Sequence, residues 1–233
     1  MKPMNAWIRL IGIVGVVLLI AGSWIGLFVA PAERFMGDVQ RIMYVHVPTA
    51  WNAMLGYTFA FVFAIVSLWT SKPKWDSAVT GIIEVSLVLN ALLLIQGSIW
   101  ARKTWGVWWD WDVRLTTSLI MLLLFAGVLA LRSFVHDPDR KATWTSVATI
   151  VAYVDVPLVY FCVRWWRSLH QVQSTPETVS SSMILPLRMN AFALLFLGIW
   201  MVVYRARLET MRREQDQVAE PDRLAPVGGI EDV

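Results

Sequence analysis

Charge is scarce in this chain: 16% of its 233 residues are Asp, Glu, Lys or Arg, against 57% hydrophobic. Soluble domains carry about a quarter charged residues, so a water-soluble globular protein is excluded, in keeping with a mean hydropathy of +0.57. Cysteine is nearly absent. With Cys162 alone, the chain can form no intramolecular disulfide and no covalent cofactor attachment of the C-x-x-C-H type. No phosphate-binding loop of the form G-x-x-x-x-G-K-[ST] occurs, so any ATP dependence must come from a partner chain. Internal repeats and a soluble domain are also missing, and nothing points to a nucleic-acid partner. Histidine occurs three times, as His46, His136 and His170.

What the chain does have is long apolar runs. A helix needs about 20 residues to cross the hydrocarbon core of a bilayer. Six runs near that length stand at roughly 10–29, 49–70, 79–100, 115–131, 144–163 and 187–204. Lipid offers the backbone no hydrogen-bond partners, so each run is predicted to be a helix. The fold class is therefore all-α, an integral membrane protein built as a bundle of six transmembrane helices over residues 1–205. The charged tail, 206–233, starts as a helical extension of the last span and is expected to fray after Pro221. Ala30-Pro31-Ala32 loosely resembles a signal-cleavage site, but the apolar run of about 20 before it exceeds the 7–15 of a signal peptide. The first span reads as a retained anchor.

Lys and Arg counts orient the bundle. Lys2, Arg9, Lys72, Lys74, Arg132, Arg140, Lys141, Arg205, Arg207, Arg212, Arg213 and Arg223 fall on one side. Arg34, Arg41, Arg102, Lys103, Arg114, Arg164, Arg167 and Arg188 fall on the other, 12 against 8. This predicts both termini in the cytoplasm. His136 then lies inside, while His46 and His170 lie outside, each in a polar connection at the membrane surface.

The outer connections also hold most of what is unusual. Trp100, Trp105, Trp108, Trp109 and Trp111 fall within twelve positions, in a segment (about 101–114) whose Arg102, Lys103, Asp110, Asp112 and Arg114 keep it out of lipid. Trp165 and Trp166 precede His170, and Trp51 follows His46. Indole is a large, rigid, flat surface with one N–H donor. Interfacial tryptophan is common as a membrane belt, but a belt spreads around many helices and does not gather five indoles in one charged loop. Such a set suits a large flat apolar ligand with a charged edge, and haem is such a ligand. Two imidazoles can complete the coordination of its iron.

These residues resemble a known family, the cytochrome c maturation protein C or haem exporter protein C family, within the wider class of Trp-rich haem-handling membrane proteins. Arg41 to Pro48 (RIMYVHVP) is similar to that family's first outer loop, Trp105 to Thr116 (WGVWWDWDVRLT) to its tryptophan motif, and Arg164 to Gln171 (RWWRSLHQ) to its third outer loop. Order, spacing and six-span layout agree over about residues 1–205. Asp110 departs from the pattern, as an acid where a neutral or apolar residue is expected. The resemblance implies non-covalent haem b at the outer, periplasmic face of the cytoplasmic (inner) membrane. His46 and His170 would be the axial ligands to its iron. Trp108, Trp109, Trp111 and Asp112 would match the platform motif. It further implies delivery to a membrane-anchored haem chaperone, in a complex with an ATP-binding-cassette ATPase and permease pair and a small single-span subunit. The chain itself would be no enzyme. A membrane b-type cytochrome for electron transfer, and a non-haem transporter subunit with a Trp-rich docking loop, are the alternatives.

Physical roles can be assigned beside the resemblance. Trp105, Trp108, Trp109 and Trp111 would cover porphyrin, burying apolar area at roughly 25 cal/mol per Å². Arg114, Arg102, Lys103, Arg164 and Arg167 could each pair with a propionate, arginine best because its fork matches a carboxylate. Arg102 and Lys103 can equally be snorkelling at a helix end. Asp112 stands where an N-cap acid would open the fourth span. Asp110 either orients a Trp N–H or a ligand histidine, or is a solvated loop acid. Within the spans lie Glu84 and Asp155, and an intramembrane acid is a functional candidate by default. Asp155 can instead bond to backbone groups freed by a kink at Pro157. Neither acid has an obvious basic partner within a span.

Overall fold

The structure, a computed structural model, describes residues 4–170 and 179–224. Its helices are α1 (Ala6–Trp24), α2 (Met43–Thr70), α3 (Pro73–Thr104), α4 (Val113–Phe134), α5 (Pro138–Ala152), α6 (Asp155–Trp165) and α7 (Ser181–Leu224). A π-turn at Ile25–Val29 prolongs α1, and a 3-10 turn at Asp38–Ile42 leads into α2. Six segments are long and apolar enough to cross a membrane: Ala6–Val29, Asp38–Thr70, Pro73–Thr104, Val113–Phe134, Pro138–Trp165 and Ser181–Gln215. Each contains one of the six runs expected from the sequence.

Local chemistry sets the boundaries. Pro73 at the first turn opens α3, where a missing N–H costs nothing. Asp137 caps α5 by accepting the Arg140 N–H at 2.7 Å, with Pro138 next to it. Asp112 caps α4 by accepting the Arg114 N–H at 2.9 Å, as its position in the sequence suggested. At 1.5 Å per residue, the 44 residues of α7 extend about 66 Å, twice the roughly 30 Å hydrocarbon core, so its second half leaves the membrane.

The fifth span is not one helix. It breaks at Tyr153-Val154 into α5 and α6. Pro157 lacks the N–H that would bond to the Tyr153 carbonyl, and its ring crowds that carbonyl. The break therefore falls one turn before the proline. Asp155 opens α6, yet its carboxylate accepts no hydrogen bond among the described residues, and Oδ2 is buried without a partner. The expected bonds to backbone groups freed by the kink are not made.

α2 and α3 form the centre of the bundle. α7 packs along both and carries α1 on its far side, while α4 and α5 close the opposite flank and α6 lies against α4. Small residues let α1 and α7 meet closely: a Cβ on Gly15 would lie 3.1 Å from the Ala193 carbonyl oxygen. In the core, Tyr57 stacks on Phe125 with centroids 3.7 Å apart.

Polar side chains tie the helices together at the end that carries the α2–α3 and α4–α5 turns. Arg132 of α4 forks onto Asp76 of α3 at 2.8 and 2.9 Å, and also donates to Glu209 of α7 at 2.6 Å and Thr145 Oγ1 of α5 at 3.1 Å. Arg213 of α7 adds bonds to Asp76 Oδ2 at 3.0 Å and Asp139 at 3.2 Å. Glu84 also has a basic partner, contrary to expectation. Arg205, one position beyond the predicted sixth span, holds it through Nε and Nη2 at 2.6 and 2.7 Å.

Candidate functional site

At the opposite end of the bundle, α2, α3, α4 and α6 part around a cleft of about 200 Å³. His46, Trp100, Trp105, Trp109, Arg114 and His170 all line it, as do Trp51 and Met36. Its deeper wall is apolar, with Met54, Leu93 and Met121.

His46 is the fourth residue of α2 and so lies within a helix, not in a polar connection as the sequence suggested. Its position follows from Pro48. That proline cannot donate to the Tyr44 carbonyl, and Asn190 of α7 does so instead, at 2.7 Å. Asn52 braces the same stretch by donating to the Pro48 and Ala191 carbonyls at 2.9 and 3.1 Å. Arg41 fastens the approach to α2 through the Gly26 and Ala30 carbonyls at 2.7 and 2.9 Å. The His46 ring stands edge-on to Trp100, centroids 5.4 Å apart. Gly97 of α3 leaves it room, since a Cβ there would come within 3.2 Å of His46 Cε1.

His170 follows α6 in irregular chain. Its own N–H donates to Ser168 Oγ at 3.0 Å. Ser168 Oγ donates to Asp112 Oδ1 at 2.9 Å, and the Leu169 N–H donates to Asp112 Oδ2 at 2.8 Å. Asp112 thus caps α4 and also fastens the His170 segment to the tryptophan loop. Gly106, at φ +80°, turns that loop, and its carbonyl accepts from Arg102.

The two imidazole centroids are 6.5 Å apart with ring planes 30° from parallel. An imidazole nitrogen binds a first-row metal at about 2.0–2.1 Å and lies about 1.1 Å from its ring centroid, so two imidazoles on opposite sides of one metal have centroids about 6.3 Å apart. The spacing therefore suits one metal between two rings. Among the described residues, buried atoms without hydrogen-bond partners gather on the same walls: His46 Nδ1, Trp100 Nε1, Trp109 Nε1 and Arg114 Nη1. Buried polar groups are nearly always paired. Four unpaired nitrogens around one cleft are what a bound ligand would satisfy, and a flat macrocycle with a central metal and an anionic edge matches them.

Not every candidate residue is in these walls. Trp108 and Trp111 are 61% and 74% exposed, and Trp111 meets Trp109 edge-on at 5.7 Å between centroids. Arg102, Lys103, Arg164 and Arg167 are exposed and lie outside the cleft lining, Arg164 over the Phe161 ring at 5.9 Å. Among the basic candidates, only Arg114 lines the cleft. Sequence reasoning missed Gly97 and Ser168. A glycine between Gln96 and Ser98 inside an apolar helical run was the signal available for the first. Ser168 carries no signal, because its importance depends on which loop lies opposite.

A family model described as haem exporter protein C matches residues 1–220. The chain is 34% identical over 218 residues to the haem exporter protein C of Haemophilus influenzae, covering 92% of this chain and 86% of that one. Against the protein of the same name from Bradyrhizobium diazoefficiens it is 33% identical over 210 residues, 86% and 80% of the two chains. Against that of Escherichia coli K12 it is 32% identical over 198 residues, 84% and 81%.

Proposed function

The chain belongs to the haem exporter protein C family, and on that premise we propose that it binds haem b without covalent links, between His46 and His170, and hands it to a membrane-anchored haem chaperone for cytochrome c maturation. The observation that carries this reading is the 6.5 Å between the two imidazole centroids, at the mouth of an apolar cleft.

Each group then has a task. Trp105 and Trp109, with Trp51 and Trp100, wall the macrocycle. Arg114 meets a propionate through Nη1, in a setting dry enough for the ion pair to matter. Arg102, Lys103, Arg164 and Arg167 form an exposed basic rim that draws in the acidic edge. Trp108 and Trp111 present flat surface outward, where the acceptor docks. The cleft lies on the periplasmic side of the inner membrane, with both termini in the cytoplasm. The chain does no chemistry of its own and works with an ATP-binding-cassette ATPase, a permease and a small single-span subunit.

The test is an optical spectrum with pyridine haemochrome on purified protein, for the wild type and for His46→Ala/His170→Ala. The expected result is haem b in the wild type and its loss in the double variant. Equal haem in both would reduce the tryptophan loop to a docking surface.

A further inference from the structure

The two histidines are held in very different ways. His46 is 7% exposed and lies in a helix tied to α7 by Asn190, which donates to the Tyr44 carbonyl, and by Asn52 of the same helix, which donates to the Ala191 carbonyl. Its ring is confined between Trp100 and the space left by Gly97. Displacing it means displacing a helix. His170 belongs to no helix. Its backbone is tethered through Ser168, and Ser168 and Leu169 both end on the single carboxylate of Asp112, at 2.9 and 2.8 Å. Among the described residues, that tether consists of hydrogen bonds between two non-helical segments, not of a helix's own ladder.

Taking both histidines as ligands to haem iron, we propose that they act in a fixed order: His170 is the ligand that leaves on transfer, His46 is the ligand that stays, and Asp112 and Ser168 are the positioning residues that set how readily His170 goes. In the exchange, the bond from iron to His170 breaks and one to a ligand supplied by the acceptor forms. Each ligand keeps its own electron pair, so the iron neither gains nor loses an electron. His46 keeps the haem in the cleft meanwhile. The tether is built on the N-cap of α4, in the same loop that displays Trp108 and Trp111. An acceptor seated on those indoles would therefore press on the carboxylate that holds His170.

The test uses the full-length, haem-loaded protein and apomyoglobin in excess as a haem scavenger, with transfer followed optically. His170→Gly should keep haem, shifted toward a high-spin spectrum that added imidazole returns to low spin. His46→Gly should lose most of its haem. Ser168→Ala, which removes both the bond to Asp112 and the one accepted from the His170 N–H, should speed transfer about ten-fold or more, since a hydrogen bond to a charged acceptor alone is worth about that factor. It should also show a part high-spin spectrum that imidazole reverses. Asp112→Asn, which still caps α4, should fall between Ser168→Ala and the wild type. A merely structural role would lower thermal stability without any imidazole-reversible change. Equal haem loss from the two His→Gly variants, or an unchanged transfer rate in Ser168→Ala, would overturn the order of release. A wild type without haem would overturn the haem reading itself, and this proposal with it.

Discussion

The two ends of the bundle treat buried polar groups in opposite ways. At one, Asp76, Arg132, Glu209 and Arg213 meet one another across three helices, and Arg213 Nε is the one atom of these four buried without a partner among the described residues. At the other, His46, Trp100, Trp109 and Arg114 each keep a buried nitrogen unpaired around a cleft. A satisfied network inside a protein fixes helices against one another, because removing any member strands the rest. An unsatisfied set costs stability as it stands, and recovers it when a ligand arrives. The contrast separates a structural polar cluster from a binding one without reference to residue type, since arginine is central to both.

The sharpest way to break this comparison is Arg132→Met. It leaves Asp76 and Glu209 as buried, under-compensated acids and should cost about 3–5 kcal/mol. The effect is read as early thermal unfolding in detergent, while the haem bound per folded molecule stays the same. If haem binding falls before the fold does, the two ends are coupled and the division fails.

Arg114→Met should do the reverse. Deleting a partly unpaired buried cation should leave the haem-free protein as stable as before, or more stable by about 1 kcal/mol. Haem affinity should drop about ten-fold or more as the propionate loses its partner. Titration with haem and a parallel melting curve check both halves. A melting temperature that falls by as much as in Arg132→Met would assign Arg114 to structure instead.

Gly97→Ala sharpens the comparison at closer range. Its Cβ would lie 3.2 Å from His46 Cε1, so the imidazole must give by a few tenths of an ångström. A few-fold loss of haem affinity and a mixed-spin spectrum are expected, with little change in stability.

The smallest effect concerns Glu33, in the turn beside the cleft that carries Met36. Its carboxylate accepts the Met36 N–H and the Phe35 N–H, each at 2.7 Å. The Met36 bond foremost holds its pKa below the ordinary glutamate value. A lowered folded-state pKa means the anion stabilises the turn above the ordinary value, and that contribution is lost as pH falls through the folded one. Amide exchange at Phe35 and Met36 should therefore quicken, beyond its intrinsic pH trend, in mild acid. Glu33→Gln should remove that excess.

Much of this architecture could be read along the chain. The six spans, the tryptophan loop, the N-cap at Asp112 and the two histidines sharing a face are local or periodic signals, and a bilayer allows few answers to them. Glu84 shows where such reading stops: its partner Arg205 lies 121 positions away and looked like one more orientation charge. Arg132 and Arg213 were likewise counted only for their sign. The break before Pro157 was expected as a kink, but the unpaired state of Asp155 depends on what α2 and α4 place around it.

By itself the sequence determined that this protein spans a membrane six times, and which residue types sit in each connection, because hydropathy and helix period act over a few turns. Tertiary structure alone decided which nitrogens find partners. It closed one end around Asp76 and, among the described residues, left nitrogens of His46, Trp100, Trp109 and Arg114 unpaired at the other. The physical reason is that hydrogen bonds and ion pairs act only over a few ångströms, so whether a buried charge is satisfied depends on how distant helices cross.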